Sequence, residues 1–340
     1  MTDTGSRGDE GLKKNILVTG GAGFIGSHIV ERLYRDWQVI VFDNLSSGDK
    51  SNIEDMDARF IEGDIREQKA LTEACNDVGV VFHLAAMISV TESMENPETT
   101  VQTNTLGTLN LLRAAQAQGV ETIVFSSSSA IYGDNPASQK NEEMIPEPGS
   151  PYAVSKLDGE YFLRIYRELY GIKTVSLRYF NVFGPRQSPA SAYAAVIPSF
   201  LHRAIRGEDI IVYGSGTQTR DFVYVEDVVR ANLLAAGLVQ ADLRPEDAKL
   251  GHKAGSYGNN VYNVASGFSL SVNDLAKEIK DITGSKSNVI HATERAGDVK
   301  HSLADISRIQ RDLGFKPLVS LQEGLRRTAV YFTSRHNVQY

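Results

Sequence analysis

Apolar residues along this chain follow two rhythms: short unbroken runs, and longer stretches with apolar positions three or four apart. Asn15 to Thr19, Gln38 to Phe42, Arg59 to Glu62, Val80 to Leu84, Thr122 to Phe125 and Lys173 to Leu177 are runs of the first kind and read as strands. Between them the helical spacing returns. Ile25, Ile29 and Leu33 share a face from Phe24 onward, and Leu71 and Ala74 point inward from Glu67 to Cys75. Val101, Thr105, Leu109, Leu112 and Ala115 mark one long amphipathic helix from Pro97 to Gln118, and a further helix runs to about Tyr170. Strands alternating with helices of this length form βαβ units. The expected fold is α/β, a doubly wound parallel sheet with helices on both faces, over residues 15–180.

Beyond Asn181 the rhythm loosens. A helix from Val196 to Arg206, short strands near Ile211 and Phe222, a helix from Glu226 and a polar segment from Gln240 to Asn260 suggest a smaller C-terminal α/β region over 181–340. Its boundary is soft, since later segments could return to the sheet. Residues 1–14 are polar and acidic and are expected to be mobile.

Composition narrows the partners. The 340 residues are 41% hydrophobic and 23% charged, ordinary for a soluble globular chain. Forty-two acidic against 35 basic residues leave a net charge of −7, which disfavours a nucleic-acid binder. Cys75 is the only cysteine, so no intrachain disulfide and no cysteine metal cluster can form. The seven histidines show no ligand spacing, and no metal is assigned; His83 is expected to pack at a strand end and His28 on a helix. No run approaches the roughly 20 apolar residues of a membrane helix, and the start does not resemble a signal peptide. These features fit a soluble cytoplasmic protein.

Gly20-x-x-Gly23-x-x-Gly26 follows a strand and opens a helix. There glycines let the backbone turn and approach a pyrophosphate, and the helix N-terminus offers free N–H groups to the anion. The spacing alone also fits a plain tight turn. Asp43 ends the next strand about twenty residues on, where a carboxylate can accept both ribose hydroxyls of NAD. No arginine lies between Asp43 and Lys50 to favour a 2′-phosphate, so NAD is preferred over NADP. Asp64-Ile65 could contact the adenine or simply cap a turn.

Tyr152-Ala-Val-Ser-Lys156 places a phenol and an ammonium on one helix face. A neighbouring cation favours the phenolate, so the pair could act as a general base near neutral pH. Ser126 to Ser129 end the preceding strand, on the edge of a parallel sheet where ligands bind. A hydroxyl there could steady a carbonyl or alcohol beside the phenol.

In order, Gly20-x-x-Gly23-x-x-Gly26, Asp43-Asn-Leu-Ser-Ser-Gly48, His83-Leu-Ala-Ala86, Ser126-Ser-Ser-Ser-Ala-Ile-Tyr-Gly133, Tyr152-x-x-x-Lys156 and Arg178-Tyr-Phe-Asn-Val-Phe-Gly-Pro185 span nearly the whole chain. As an ordered set they resemble the NAD-dependent sugar-nucleotide epimerase/dehydratase family of extended short-chain dehydrogenases/reductases. The resemblance implies a Rossmann NAD domain, a smaller nucleotide-sugar domain, and a homodimer built on the helices near 98–117 and 153–170. It also implies an NAD site made of Gly20, Gly23, Phe24, Ile25, Gly26, Asp43, Asn44, Asp64, Ile65, Leu84, Ala85, Ala86, Asn104, Tyr152 and Lys156.

Within that family, 4,6-dehydratases carry an Asp-Glu pair just after the catalytic hydroxyl, and glucuronate decarboxylases a Glu; this chain has Ser128-Ser129-Ala130-Ile131. An eliminating enzyme is therefore disfavoured, and the resemblance is closer to UDP-sugar 4-epimerases. It implies that Tyr152 takes the C4 hydroxyl proton as hydride passes to NAD, and that the 4-ketose turns and is reduced on its other face. Ser128, with Ser129 as a neighbouring candidate, would bridge the C4 oxygen, and Lys156 would hold the nicotinamide ribose. Arg220 and Arg295 would grip UDP, Asp298 its ribose, and Asn181 the diphosphate and sugar. Ser302 stands where epimerases restricted to plain hexoses carry a bulky Tyr, and Ser89 matches members that accept N-acetylated sugars. UDP-N-acetylglucosamine/UDP-N-acetylgalactosamine is the first choice, with UDP-glucose/UDP-galactose also accepted. A glucuronate epimerase would show an Arg near 91, where this chain has Thr91-Glu92; some epimerases place a Lys at 88, where it has Ile88. A UDP-glucuronate 4-epimerase or another sugar-nucleotide oxidoreductase of the family, and a non-catalytic NAD-sensing scaffold, are the alternatives.

Overall fold

The computed structural model describes residues 15–189, 195–239, 260–294 and 300–338. The head 1–14, most of the polar segment at 240–260, and the candidates Arg295 and Asp298 lie outside the described residues.

The first half alternates as its pattern predicts. It runs β1 (Asn15–Thr19), α1 (Phe24–Leu33), β2 (Gln38–Asp43), β3 (Ala58–Glu62), α2 (Gln68–Ala74) and β4 (Val78–His83). Two short helices follow, α3 (Val90–Glu95) and α4 (Pro97–Thr100), then a wide π-helical stretch, Val101–Leu106, leading into α5 (Gly107–Ala117). Next come β5 (Thr122–Ser128), a 3₁₀ turn at Ser129–Tyr132, α6 (Pro151–Tyr170) and β6 (Lys173–Tyr179).

Apart from the edge strand β3, the strands of this half bury both faces, as a parallel sheet covered by helices must. Ile16 and Val18 of β1 face the core shared with α1, while Leu17 between them faces the core shared with α2 and α5. The sheet order is β3-β2-β1-β4-β5-β6, extended by a seventh strand from the second half, and every pairing is parallel. The order reverses direction at β1 and β4. A crevice outside the C-terminal ends of these two strands is where such sheets bind ligands.

The second half holds β7 (Asn181–Phe183), α7 (Val196–Ile205), β8 (Ile210–Tyr213), β9 (Thr219–Tyr224) and α8 (Val225–Ala236). It continues with β10 (Val261–Val264), β11 (Ser269–Ser271), α9 (Val272–Thr283), β12 (Val289–Ala292), α10 (Ser307–Leu313) and α11 (Leu321–Val338). β7, β9 and β11 make a small three-stranded sheet, β8 and β12 a parallel pair, and α7, α9 and α11 enclose a separate core around Phe200, Leu275 and Leu325. Two elements return to the large sheet: β10 pairs with β6, and α8 packs beside α1.

The structure departs from the sequence pattern in two places. The predicted helix from Pro97 to Gln118 is broken by the π-helical stretch, and α3, which carries no long apolar stripe, precedes it. The widened turn carries Asn104 into a buried position. The second departure is at the serines: Ser126, Ser127 and Ser128 continue β5, and the turn starts only at Ser129.

Candidate active site

The glycine loop is held against the next strand-end loop by close approach. Gly20 has φ +69°, and a Cβ there would lie 2.7 Å from the Ala85 backbone nitrogen; one on Gly26 would overlap the Gly20 carbonyl oxygen. Glycine is the residue that meets both demands. Gly23 caps α1 without a side-chain hydrogen bond, so the N–H groups of Phe24, Ile25 and Gly26 in its first turn face outward for an anion. Leu84, Ala85 and Ala86 line the other lip, half-buried. Below it, His83 is buried between the Thr19 hydroxyl (2.7 Å) and the Thr108 hydroxyl (2.9 Å), and burial lowers it to about 3.

Asp43 stands at the end of β2, buried. Its carboxylate accepts from the amides of Ala22 (3.0 Å) and Leu45 (2.9 Å), which ties the strand end to the glycine loop. Burial raises its pKa, and those two bonds act against the rise. Each oxygen keeps a further lone pair for a ribose hydroxyl. Asn44 is exposed and donates to Asp64 (3.0 Å), whose carboxylate is also forked by Arg66 and pulled down to about 2. Ile65 is buried against Gly107. An uncapped helix, a close-packed glycine turn and a carboxylate at the next strand end make a donor set that fits a dinucleotide such as NAD.

The candidate reacting groups converge from β5 and α6. Ser150 caps α6 by accepting from the Ala153 amide (3.2 Å), Pro151 supplies its first turn, and Gly171 ends it at φ +72°. Tyr152 and Lys156 therefore lie one turn apart at the helix start. Lys156 is buried, and its Nζ donates to the Ser126 carbonyl (2.8 Å) and lies 3.4 Å from the Ser126 hydroxyl. It also sits over the Phe125 ring (5.0 Å) and 5.8 Å from the centre of the Tyr152 ring. Burial lowers this ammonium to about 7. Burial also raises the Tyr152 phenol, with the Ser128 side chain acting against it. The expectation of a depressed phenol is thus reversed in the protein itself, because desolvation weakens the cation as well as the anion.

Asn104, placed with the cofactor by resemblance, has another set of partners. Its Oδ1 accepts from the Met87 amide (2.8 Å), and its Nδ2 donates to the Met87 carbonyl (2.9 Å) and the Ser155 hydroxyl (3.0 Å). Both of its N–H groups are taken. Ser155 in turn donates to the Tyr152 carbonyl (2.8 Å), so the π-helical stretch braces the loop after β4 against the start of α6. Ser89 caps α3 by accepting from Glu92 (3.1 Å), and Ser93 of that helix accepts from the Tyr152 amide (3.2 Å).

The remaining candidates gather beside the small sheet. Asn181 lies two residues past Tyr179, the register partner of Ser128, and donates to the Asp221 carbonyl (2.9 Å). Arg220 of β9 donates to the Thr219 carbonyl (2.9 Å), and the Ser302 amide bonds that same oxygen (3.1 Å). Arg220 and Ser302 are thereby neighbours. Ser129 begins the turn, half-buried.

Three groups escaped the sequence reading. Asp221 is fully buried and accepts from the amides of Ser266, Gly267 and Ala304 and from the Ser266 hydroxyl (2.6 to 3.2 Å). Glu160 and Arg178 form a buried ion pair (2.7 Å) behind the serine strand. Tyr132 and Asn263 extend that pair toward the second half. The signal for Glu160 was present: it stands four residues past Lys156, as Lys156 stands past Tyr152. Among the described residues no cluster of potential metal ligands occurs, and no helix is long and apolar enough to cross a membrane.

Known proteins share this chain's family and fold. Residues 16–251 match the model of the NAD dependent epimerase/dehydratase family. A putative UDP-glucose 4-epimerase of Methanocaldococcus jannaschii is 41% identical over 316 residues, 92% of this chain and 96% of that protein. A solved UDP-N-acetylglucosamine 4-epimerase from Methanobrevibacter ruminantium, in complex with UDP-N-acetylmuramic acid, superposes with a TM-score of 0.86 at 41% identity, covering 95% of this chain and 99% of the other. A UDP-glucose 4-epimerase from Thermotoga maritima with UDP-glucose gives 0.85 at 40% identity, with coverage of 95% and 99%. With its glycine cradle, strand-end carboxylate and Ser-Tyr-Lys cluster on one sheet edge, the chain belongs to the NAD-dependent epimerase/dehydratase family.

Proposed function

We propose that this enzyme interconverts the C4 epimers of a UDP-sugar. UDP-N-acetylglucosamine and UDP-N-acetylgalactosamine are the first substrates, with UDP-glucose and UDP-galactose also accepted. The observation that carries the reading is the grouping of Ser128, Tyr152 and Lys156 at one sheet edge, in a serine turn without a carboxylate. A dehydratase or decarboxylase of this family would place an acid there.

Bound in the crevice, NAD accepts and returns a hydride. The chain's own work is acid–base and positional. Tyr152 removes the proton of the C4 hydroxyl and gives it back after the 4-keto sugar has turned. Ser128 bridges the C4 oxygen and steadies the phenol. Lys156 has three N–H groups, two of them directed at Ser126, and the third is available to the cofactor ribose; the Ser128 side chain opposes the rise that burial imposes on Tyr152. Arg220 and Asn181 take the nucleotide end, with Arg295 and Asp298 assigned there by resemblance.

The small Ser302 beside Arg220 supports the N-acetylated substrate, since it leaves room at C2. A cavity of that kind rarely excludes the smaller sugar. Exposed apolar side chains on the outer faces of α3, the π-helical stretch and α6 (Val90, Met94, Leu106, Tyr161, Ile165 and Leu169) support a homodimer through these helices.

The test is incubation of the purified protein with UDP-N-acetylglucosamine and, separately, UDP-glucose, followed by NMR of the sugar C4 configuration. Epimer from both without free NADH is expected. Epimer from UDP-glucose alone removes the Ser302 argument, and none from either removes the 4-epimerase reading.

A further inference from the structure

The buried charge pair behind the serine strand has no place in the chemistry above. Glu160 Oε1 accepts from Arg178 Nε (2.9 Å) and from the Ser127 hydroxyl (2.5 Å), and its Oε2 accepts from Arg178 Nη2 (2.7 Å). The remaining arm of the fork, Nη1, donates to the Tyr132 hydroxyl (2.9 Å). Arg178 is also the register partner of Ser127 across β5 and β6.

One guanidinium thus holds three elements. Ser127 precedes Ser128, Tyr132 closes the turn that follows it, and Glu160 lies on α6 one turn past Lys156 and two past Tyr152. The serine turn and the Tyr-Lys helix are secured to the same fork, from both sides of Ser128. Stability is a poor account of this arrangement, because a buried ion pair often contributes no more than apolar packing would. What a bidentate fork supplies is fixed geometry.

The network continues outward. Tyr132 donates to Asn263 Oδ1 (2.7 Å), and Asn263 Nδ2 donates to the carbonyls of Lys140 (3.0 Å) and Asp305 (3.1 Å). Asp305 is three residues past Ser302, in the segment that faces Arg220.

We propose that Arg178 is a positioning residue for the reaction: through Glu160, Ser127 and Tyr132 it sets the Ser128 hydroxyl against the helix carrying Tyr152 and Lys156. This rests on the acid–base roles given above.

Arg178→Lys tests it, since lysine keeps a positive charge beside Glu160 but cannot make the fork. Hydrogen exchange in the full-length protein reads the turn directly, because the Ala130 amide bonds Ser128 Oγ (3.1 Å) and the Gly133 amide bonds the Ala130 carbonyl (3.1 Å). Exchange across 128–133 should quicken by about tenfold, with peptides from β1 to β3 unchanged. In the epimerase assay kcat should fall about 10- to 100-fold, with KM for the UDP-sugar within about threefold. Tyr132→Phe should move both readouts in the same direction, by less. Combined with Ser128→Ala, the Arg178→Lys loss in kcat should largely disappear, because both changes act at one hydroxyl. Unchanged exchange across the turn, or losses that multiply in the double variant, would overturn the proposal. An inactive wild-type protein would instead defeat the epimerase reading, and the exchange measurement would still decide the positioning claim.

Discussion

The proposed reacting end of the crevice and the proposed nucleotide end are held by different means. At the reacting end, regular elements do the positioning: Tyr152 and Lys156 are one turn apart on α6, and the serines continue β5 beside it. At the nucleotide end, chain segments far apart meet on one carboxylate. Asp221 gathers Ser266, Gly267 and Ala304, and its neighbour Arg220 reaches toward Ser302 through the Thr219 carbonyl. The comparison shows how one site divides its demands. Proton transfer needs atoms placed to a fraction of an ångström, which helix and strand geometry supply. A substrate-recognition edge must vary between relatives, which loops stitched by side chains allow.

This contrast predicts where damage shows. Tyr152→Phe removes the proposed base and should lower kcat by roughly 10²- to 10⁴-fold while the protein still binds NAD and UDP-sugar, measured by calorimetric titration beside turnover. A variant that keeps wild-type kcat would take Tyr152 out of the reaction. Asp221→Ala should do the opposite. It leaves three amides without their acceptor, at a cost on the order of 3 kcal/mol in stability, and raises KM for the UDP-sugar far more than it lowers kcat. An unaltered KM in a folded Asp221→Ala protein would mean the two ends are not separable in this way.

Smaller effects refine the picture. Ser302→Tyr should lower kcat/KM for UDP-N-acetylglucosamine by roughly 10- to 200-fold and leave UDP-glucose nearly untouched. Equal losses on both sugars would show that residue 302 does not face C2. A further change is one of pH. Burial lowers Lys156 from 10.5 to about 7, so between those values the unfolded chain holds a proton that the folded chain has lost. Its burial therefore costs stability below about pH 7, and that cost is relieved as the pH rises toward 10.5. Lys156→Met should flatten this part of the melting-temperature profile; an identical slope in both proteins would show that Lys156 is not desolvated as described.

Much of the fold was legible because a parallel sheet writes itself into short apolar runs. β1 and β2 lie within about a residue of their predicted bounds, α1 starts at Phe24 and α6 ends at Tyr170 as expected. The π-helical stretch was not legible. Its apolar spacing fits an ordinary helix, and only the pull of Met87 and Ser155 on Asn104 shows why the turn is widened. The phenol's direction was misjudged for a related reason: spacing shows that Lys156 is near Tyr152 but not that Lys156 is buried and Tyr152 half-buried. That Arg220 and Ser302 lie side by side was not read from the sequence, since nothing local links positions so far apart in the chain.

What spacing could decide, then, was the part of the molecule whose geometry is local: the strand and helix order, the glycine turn, the Asp43 strand end and the Tyr152–Lys156 pair. The return of β10 and α8 to the large sheet, the Asp221 hub and the Arg178 fork were decided only on folding. Each joins groups tens to more than a hundred residues apart, and hydrogen bonds of that reach leave no periodic trace in a sequence, because their partners are selected by shape and burial after the chain has packed.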